Sequence, residues 1–178
     1  GIAQAITGMQ VRLGTHKPVA GAFPGNDYGT GLMACYGIAL ALLHKRRTGL
    51  GQFVDSSLAY TATMLQSALL QDYPGKRWDE PHGQEAMGRG PLYRMYEASD
   101  GWQFLAAMPG ELERCPELAD LAALDDRQLE QTLEARLRQH TVAEWAAALH
   151  NAGIGAHRVV PDVPPLMKDL LVQARGLS

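Results

Sequence analysis

Between Leu32 and Leu43 almost every position is apolar, and the run passes at once into His44, Lys45, Arg46 and Arg47. A stretch of about a dozen apolar residues falls short of the roughly 18 to 20 that span a bilayer, so the pattern predicts a buried core helix over 29–47. Thr30, Ala34, Gly37 and Ala41 form a stripe of small residues at helical spacing, which lets another backbone come close. A mid-helix Gly37 costs about 1 kcal/mol relative to alanine, so a packing neighbour is expected there. The basic residues fall in the last turn, where cations complement the helix dipole, and Gly49 suits the left-handed residue that follows a helix end.

Elsewhere the periodicity changes repeatedly. Residues 1–26 are short apolar runs punctuated by Gly8, Gly14, Pro18, Gly21, Pro24 and Gly25, which predict strand and loop. Residues 52–55, QFVD, read as a brief strand, and Ser56 or Ser57 can cap a second apolar helix reaching about Gln71. Residues 72–91 hold three prolines and four glycines without period, and read as a connector or a functional loop. Two runs rich in aromatic and aliphatic residues then flank Ser99, Asp100 and Gly101, predicting a β-hairpin.

The 110–152 stretch is helical in pattern. Leu129, Leu133 and Leu137 recur on one face of a helix beginning near Asp126, and Thr141 with Glu144 forms a capping box for the next. Residues 154–160 are expected to return as a strand to the hairpin. Pro161, Pro164 and Pro165 should interrupt the chain before a last helical stretch from Leu166. The organisation expected is therefore 1–72, a linker over 73–90, a small α+β domain over 91–160, and a return segment over 161–178.

With 178 residues, 46% of them hydrophobic and a net charge of -3, the chain has enough apolar content for a real core. No basic footprint points to nucleic acid, and no span or signal peptide points to a membrane. Cys35 and Cys115 form no disulfide framework; both are expected to be buried, inert thiols of a cytoplasmic protein. Trp78, Trp102 and Trp145 are expected as core or hinge anchors. The absence of an initiator Met and the stop within an amphipathic stretch read as part of a longer polypeptide.

Asp27 is the leading candidate for chemistry. It stands between Gly25 and Gly29, directly before the long apolar helix, where backbone N–H groups would fix a carboxylate and keep it ionised. Two readings stand on local pattern: an ordinary helix cap, stabilising by about 1 kcal/mol, or a reactive acid approached closely by a substrate. The six histidines are scattered without metal-ligand spacing, so no metal site is expected. Gly29, Thr30 and Gly31 lack the rest of a dinucleotide fingerprint, and Ser56 and Ser57 lack a nucleophile elbow. The glycine-rich loop at 87–91 reads as either a flexible linker tip or a mobile lid.

Four blocks in order carry a resemblance: QAITG at 4–8, NDYGTGLMACYGIALALLHKRRTGLGQFVDSSL at 26–58, YEASDGWQFLAA at 96–107, and TVAEWAAALHNAGIGAHRVV at 141–160. Together they resemble the class III CoA-transferase family, which includes formyl-CoA and carnitine CoA-transferases and α-methylacyl-CoA racemases. The resemblance implies an α/β protein: part of a Rossmann-like large domain followed by the small α+β domain. It implies that Asp27 is the catalytic carboxylate, with acyl-CoA contacts at Gln4, Gly25, Asn26, Tyr28, Gly29, Gly88, Arg89 and Gly90. The last three match a glycine-rich lid but read GRG where the family's transferases carry an unbroken glycine run.

Coenzyme A is then a substrate rather than a resident cofactor, and the partners implied are an acyl-CoA, an acceptor carboxylic acid and a second copy in an interlocked homodimer. The racemases' histidine would fall just before Gly1, outside this sequence; within it, racemases of the family tend to read NY where this chain has Gln4 and Ala5, which favours transfer. The racemase reading and a non-catalytic dimerisation module remain as alternatives. Family members are about twice this length, so the isolated chain is expected to be inactive.

Overall fold

The computed structural model describes residues 1–21, 24–77 and 81–176, so Trp78 lies outside the described residues. The chain divides into two units, Gly1–Ala86 and Met87–Ser178. Helices together with a four-stranded antiparallel sheet make it an α+β protein.

The described part of the first unit is helical: α1 (Ile2–Ile6), α2 (Met9–Leu13), α3 (Gly25–Thr48), α4 (Leu58–Leu65) and α5 (Ser67–Leu70). Residues 1–13 thus depart from the expected strand and loop. Their helical turns are fixed by tertiary contact, since Gln4 is buried and the Gln66 side chain donates to Thr7 O at 3.2 Å. The same amide also donates to Ala62 O at 3.1 Å, at the point where the expected helix over 57–71 divides into α4 and α5.

Residues 52–55 form no strand, because nothing among the described residues pairs with them; Val54 instead packs its side chain against the Gly37 backbone. The stripe of small residues therefore has its close neighbour. At the far end of α3, Gly49 takes φ 78° and donates to Lys45 O at 2.8 Å, the expected helix stop. Much of the apolar surface of α3 is exposed in this unit, with Leu32 at 73% and Leu42 at 61%. Cys35 is exposed too, contrary to expectation, because it lies on α3 away from the α4 side.

The second unit is built on β1 (Gly88–Gly90), β2 (Tyr93–Ala98), β3 (Gly101–Ala106) and β4 (Gly155–Arg158), in that spatial order and antiparallel throughout. The hairpin forms with Ala98 opposite Gly101 and Phe104 opposite Met95. Ser99 and Asp100 keep negative φ, so the turn is not the mirror-image type that an Asp-Gly pair favours; the positive φ falls on Gly101. Helices α6 (Asp126–Leu137) and α7 (Val142–Asn151) pack on one sheet face through Leu129, Leu133, Leu137, Trp145 and Leu149. The Trp145 indole donates to Leu137 O at 2.9 Å, and Tyr96 donates its hydroxyl to Pro91 O at 2.7 Å, so each buried polar handle is satisfied. Trp145 is a core anchor as expected, whereas Trp102, 38% exposed, is not.

The expected capping box is present: Thr141 N–H donates to Glu144 at 2.8 Å and Glu144 N–H to Thr141 at 3.3 Å. Two prolines expected to interrupt the chain, Pro164 and Pro165, sit instead in the first turn of α8 (Val163–Leu166), where a missing N–H costs nothing. A short α9 (Leu170–Ala174) follows, with the Asp169 carboxylate accepting from Leu171 N–H at 2.8 Å.

Candidate active site

Helix α3 begins four residues earlier than its apolar pattern suggested, because Pro24 O accepts both Asp27 N–H and Tyr28 N–H at 3.1 Å and closes a turn ahead of the apolar run. This moves Asp27 inside the first turn. The N-cap position is held by Pro24, no side chain among the described residues caps the helix, and Asp27 is exposed, so the carboxylate is not the ordinary cap that local pattern allowed. It stands where the helix dipole favours an anion.

The residues around it divide by face. Asn26 is 5% exposed, and neither atom of its carboxamide has a hydrogen-bond partner among the described residues. Gly29 faces α4: a Cβ there would lie 2.9 Å from the Thr61 methyl group, so the glycine permits close helix approach. Gly25 opens the helix, Tyr28 is 65% exposed, and Gln4 is buried on α1.

A hydroxyl cluster that sequence reading missed binds this turn to the next helix. Thr30 Oγ1 lies 2.6 Å from Asn26 O and 2.8 Å from Thr61 Oγ1, and Ser56 Oγ donates to Thr30 O at 3.3 Å. Thr61 Oγ1 is also 3.3 Å from Ser57 O, and Ser57 itself caps α4 by accepting from Tyr60 N–H at 3.1 Å. Thr30 and Thr61 are 31 residues apart, so no local pattern in the sequence marks the pair.

Gly88, Arg89 and Gly90 belong to the second unit and form edge strand β1 rather than an irregular loop. A Cβ on Gly88 would collide with the Tyr93 carbonyl and the Arg94 backbone, which gives that glycine a packing reason. The Arg89 guanidinium stands over the Tyr93 ring, 6.0 Å from its centroid. Among the described residues no group of three or more His, Cys, Asp or Glu side chains could hold a metal ion, and no helix is long and apolar enough to cross a membrane.

The sequence model of CoA-transferase family III matches residues 1–178, and the chain belongs to that family. It is similar to the CoA-transferase/lyase DddD of Marinomonas sp. (strain MWYL1), 32% identical over 148 residues that make up 81% of this chain and 18% of that protein. The α-methylacyl-CoA racemase of Mus musculus is 40% identical over 79 residues, 44% of this chain and 20% of the racemase. Its fold is shared by the crystal structure of a hypothetical protein from Mycobacterium tuberculosis, with a TM-score of 0.75 at 20% identity over 98% of this chain and 50% of that one. The chain thus spans a fifth or less of these two curated relatives and half of the solved structure.

Proposed function

We propose that this chain is the catalytic-aspartate portion of an enzyme that moves coenzyme A from an acyl-CoA thioester to a carboxylic acid, with Asp27 as the nucleophile. The observation that carries the reading is Asp27 itself: an exposed carboxylate, uncommitted to capping, at the start of a 24-residue helix in a chain matched along its whole length by this family.

The chemistry balances in four steps. An Asp27 carboxylate oxygen attacks the thioester carbonyl, forming an acyl–aspartyl anhydride and releasing CoA thiolate. The thiolate attacks the aspartyl carbonyl, giving an aspartyl-CoA thioester and freeing the donor acid. The acceptor carboxylate attacks that thioester, forming a second anhydride and again releasing thiolate. Thiolate attack on the acceptor carbonyl yields the new acyl-CoA and regenerates Asp27.

A carboxylate is a weak nucleophile in water, so water must be excluded and the partners held in line. Gly25 and Asn26, at the start of α3, carry N–H groups ahead of the helix's own ladder, which suit the developing oxyanion. Gln4, Tyr28, Gly29 and the β1 residues Gly88, Arg89 and Gly90 are proposed to contact the acyl-CoA, and the whole enzyme is proposed to be a homodimer. The exposed apolar side chains of α3 and α4 support a further covering surface.

Asp27→Asn in the whole enzyme should abolish transfer, and hydroxylamine added during turnover should leave a hydroxamate on residue 27. Retained activity in that variant would refute the reading. The similarity to a racemase favours a second reading, in which Asp27 exchanges the proton at Cα of a 2-methylacyl-CoA. Solvent deuterium appearing at Cα without any hydroxamate would select it.

A further inference from the structure

We infer that Thr30 is a positioning residue for Asp27, acting through the peptide bond that joins Asn26 to Asp27; the inference rests on the nucleophile reading above. The carbonyl of that peptide is Asn26 O, only 2.6 Å from Thr30 Oγ1, and its nitrogen side carries Asp27 N–H and the Asp27 Cα. Whatever fixes the plane of this peptide fixes the direction in which the carboxylate leaves the helix.

Several threonines here return their hydroxyl to the carbonyl four residues back, namely Thr7 to Ala3, Thr48 to His44, Thr63 to Ala59 and Thr132 to Gln128. Such bonds are ordinary in helices and bend them slightly. Thr30 differs from these four because its oxygen also meets a threonine hydroxyl of another helix, Thr61 at 2.8 Å, and Thr61 is 4% exposed.

Each of the two hydroxyls has one proton for two contacts. The 2.6 Å contact of Thr30 Oγ1 with Asn26 O is the shortest in the cluster and that carbonyl can only accept, so we assign the Thr30 proton to it; the 2.8 Å contact then takes its proton from Thr61, with the longer 3.3 Å contact to Ser57 O as the alternative for that proton. The donation runs from Thr61 to Thr30 to Asn26 O, and each bond polarises the next. Ser56 adds a hold on Thr30 O at 3.3 Å. The turn that bears Asp27 has no side-chain cap, and this chain anchors it to α4 instead.

Thr30→Val keeps the side-chain shape and orphans no buried donor: Asn26 O retains its helix N–H, and Thr61 can turn its proton to Ser57 O. The melting temperature should therefore hold while kcat for transfer, and the rate of hydroxylamine trapping at residue 27, fall by roughly tenfold, as expected when a nucleophile is misdirected. KM should change by less than about twofold, because the loss lies in the chemical step. Thr30→Ser should restore the rate, and Thr61→Val should lower it in the same direction. Unchanged kcat in Thr30→Val, or equal loss in Thr30→Ser, would overturn the role. With Asp27→Asn inactive, either result sinks only the Thr30 inference; an active Asp27→Asn removes the nucleophile reading and this inference with it.

Discussion

The Asp100 carboxylate, in the turn between β2 and β3, accepts the backbone N–H of Val142 at 2.7 Å. Its second oxygen accepts from Arg158 on β4 at 2.5 Å, and Arg158 donates as well to Asp100 O at 3.3 Å. One acid thus ties the hairpin, the start of α7 and the last strand.

These bonds hold the Asp100 carboxyl below its ordinary value of 3.8, the Val142 N–H first and the Arg158 bond second. A carboxylate with a lowered folded value contributes stability that is present above about pH 4 and is lost as pH falls through that lower value. Asp100→Ala should lower the melting temperature of the second unit by a few degrees at pH 7. The gap from the parent should close as the pH is taken below about 4. Thermal melts of both proteins across that range check it, and a gap that persists in acid would contradict the assignment.

Asp100 also marks the limit of what the sequence makes legible. Thr141 and Glu144 are three residues apart, Leu129, Leu133 and Leu137 four apart, and Gly49 adjoins its helix, so local geometry alone relates them and the structure has each where the pattern put it. Asp100 and Val142 are separated by 42 residues, and Thr30 and Thr61 by 31. No periodicity connects such pairs; only the path of the chain does. The same limit explains residues 1–7, whose last carbonyl is met by Gln66 from 59 residues away, and QFVD, whose strand-like composition has no partner strand among the described residues. At the site, that Asp27 lies close to the start of a long helix was legible, but not that the helix would open at Gly25 and take Asp27 into its first turn, that Pro24 would hold the cap position, or that the neighbouring Asn26 would be the buried member of the pair.

Gln103 lies on the inner strand β3, opposite Tyr96 and Arg158, fully buried, with neither amide atom hydrogen-bonded among the described residues. An unpaired buried polar group costs about 1–3 kcal/mol, whereas an apolar side chain of similar shape carries no such penalty. Gln103→Met should raise the stability of the second unit by roughly 1 kcal/mol, read from chemical denaturation midpoints at unchanged slope. A fall in the midpoint would mean that the amide is satisfied in solution and contributes to folding.

Gly37 sets helix propensity against packing. Alanine in mid-helix is favoured over glycine by about 1 kcal/mol, so in an exposed helix Gly37→Ala would stabilise. Here the new Cβ would lie 2.8 Å from Val54 Cγ1, closer than carbon atoms approach, and valine has one stiff torsion with which to yield. Gly37→Ala alone should therefore destabilise the first unit and loosen residues 53–57, which limited proteolysis would report. In a Val54→Ala background the obstructing methyl is gone, and the same substitution should stabilise by roughly 0.5–1 kcal/mol. That reversal of sign between backgrounds, measured in a double-mutant cycle, separates a packing constraint from an intrinsic need for glycine; equal effects in both would show that Val54 is not what Gly37 accommodates.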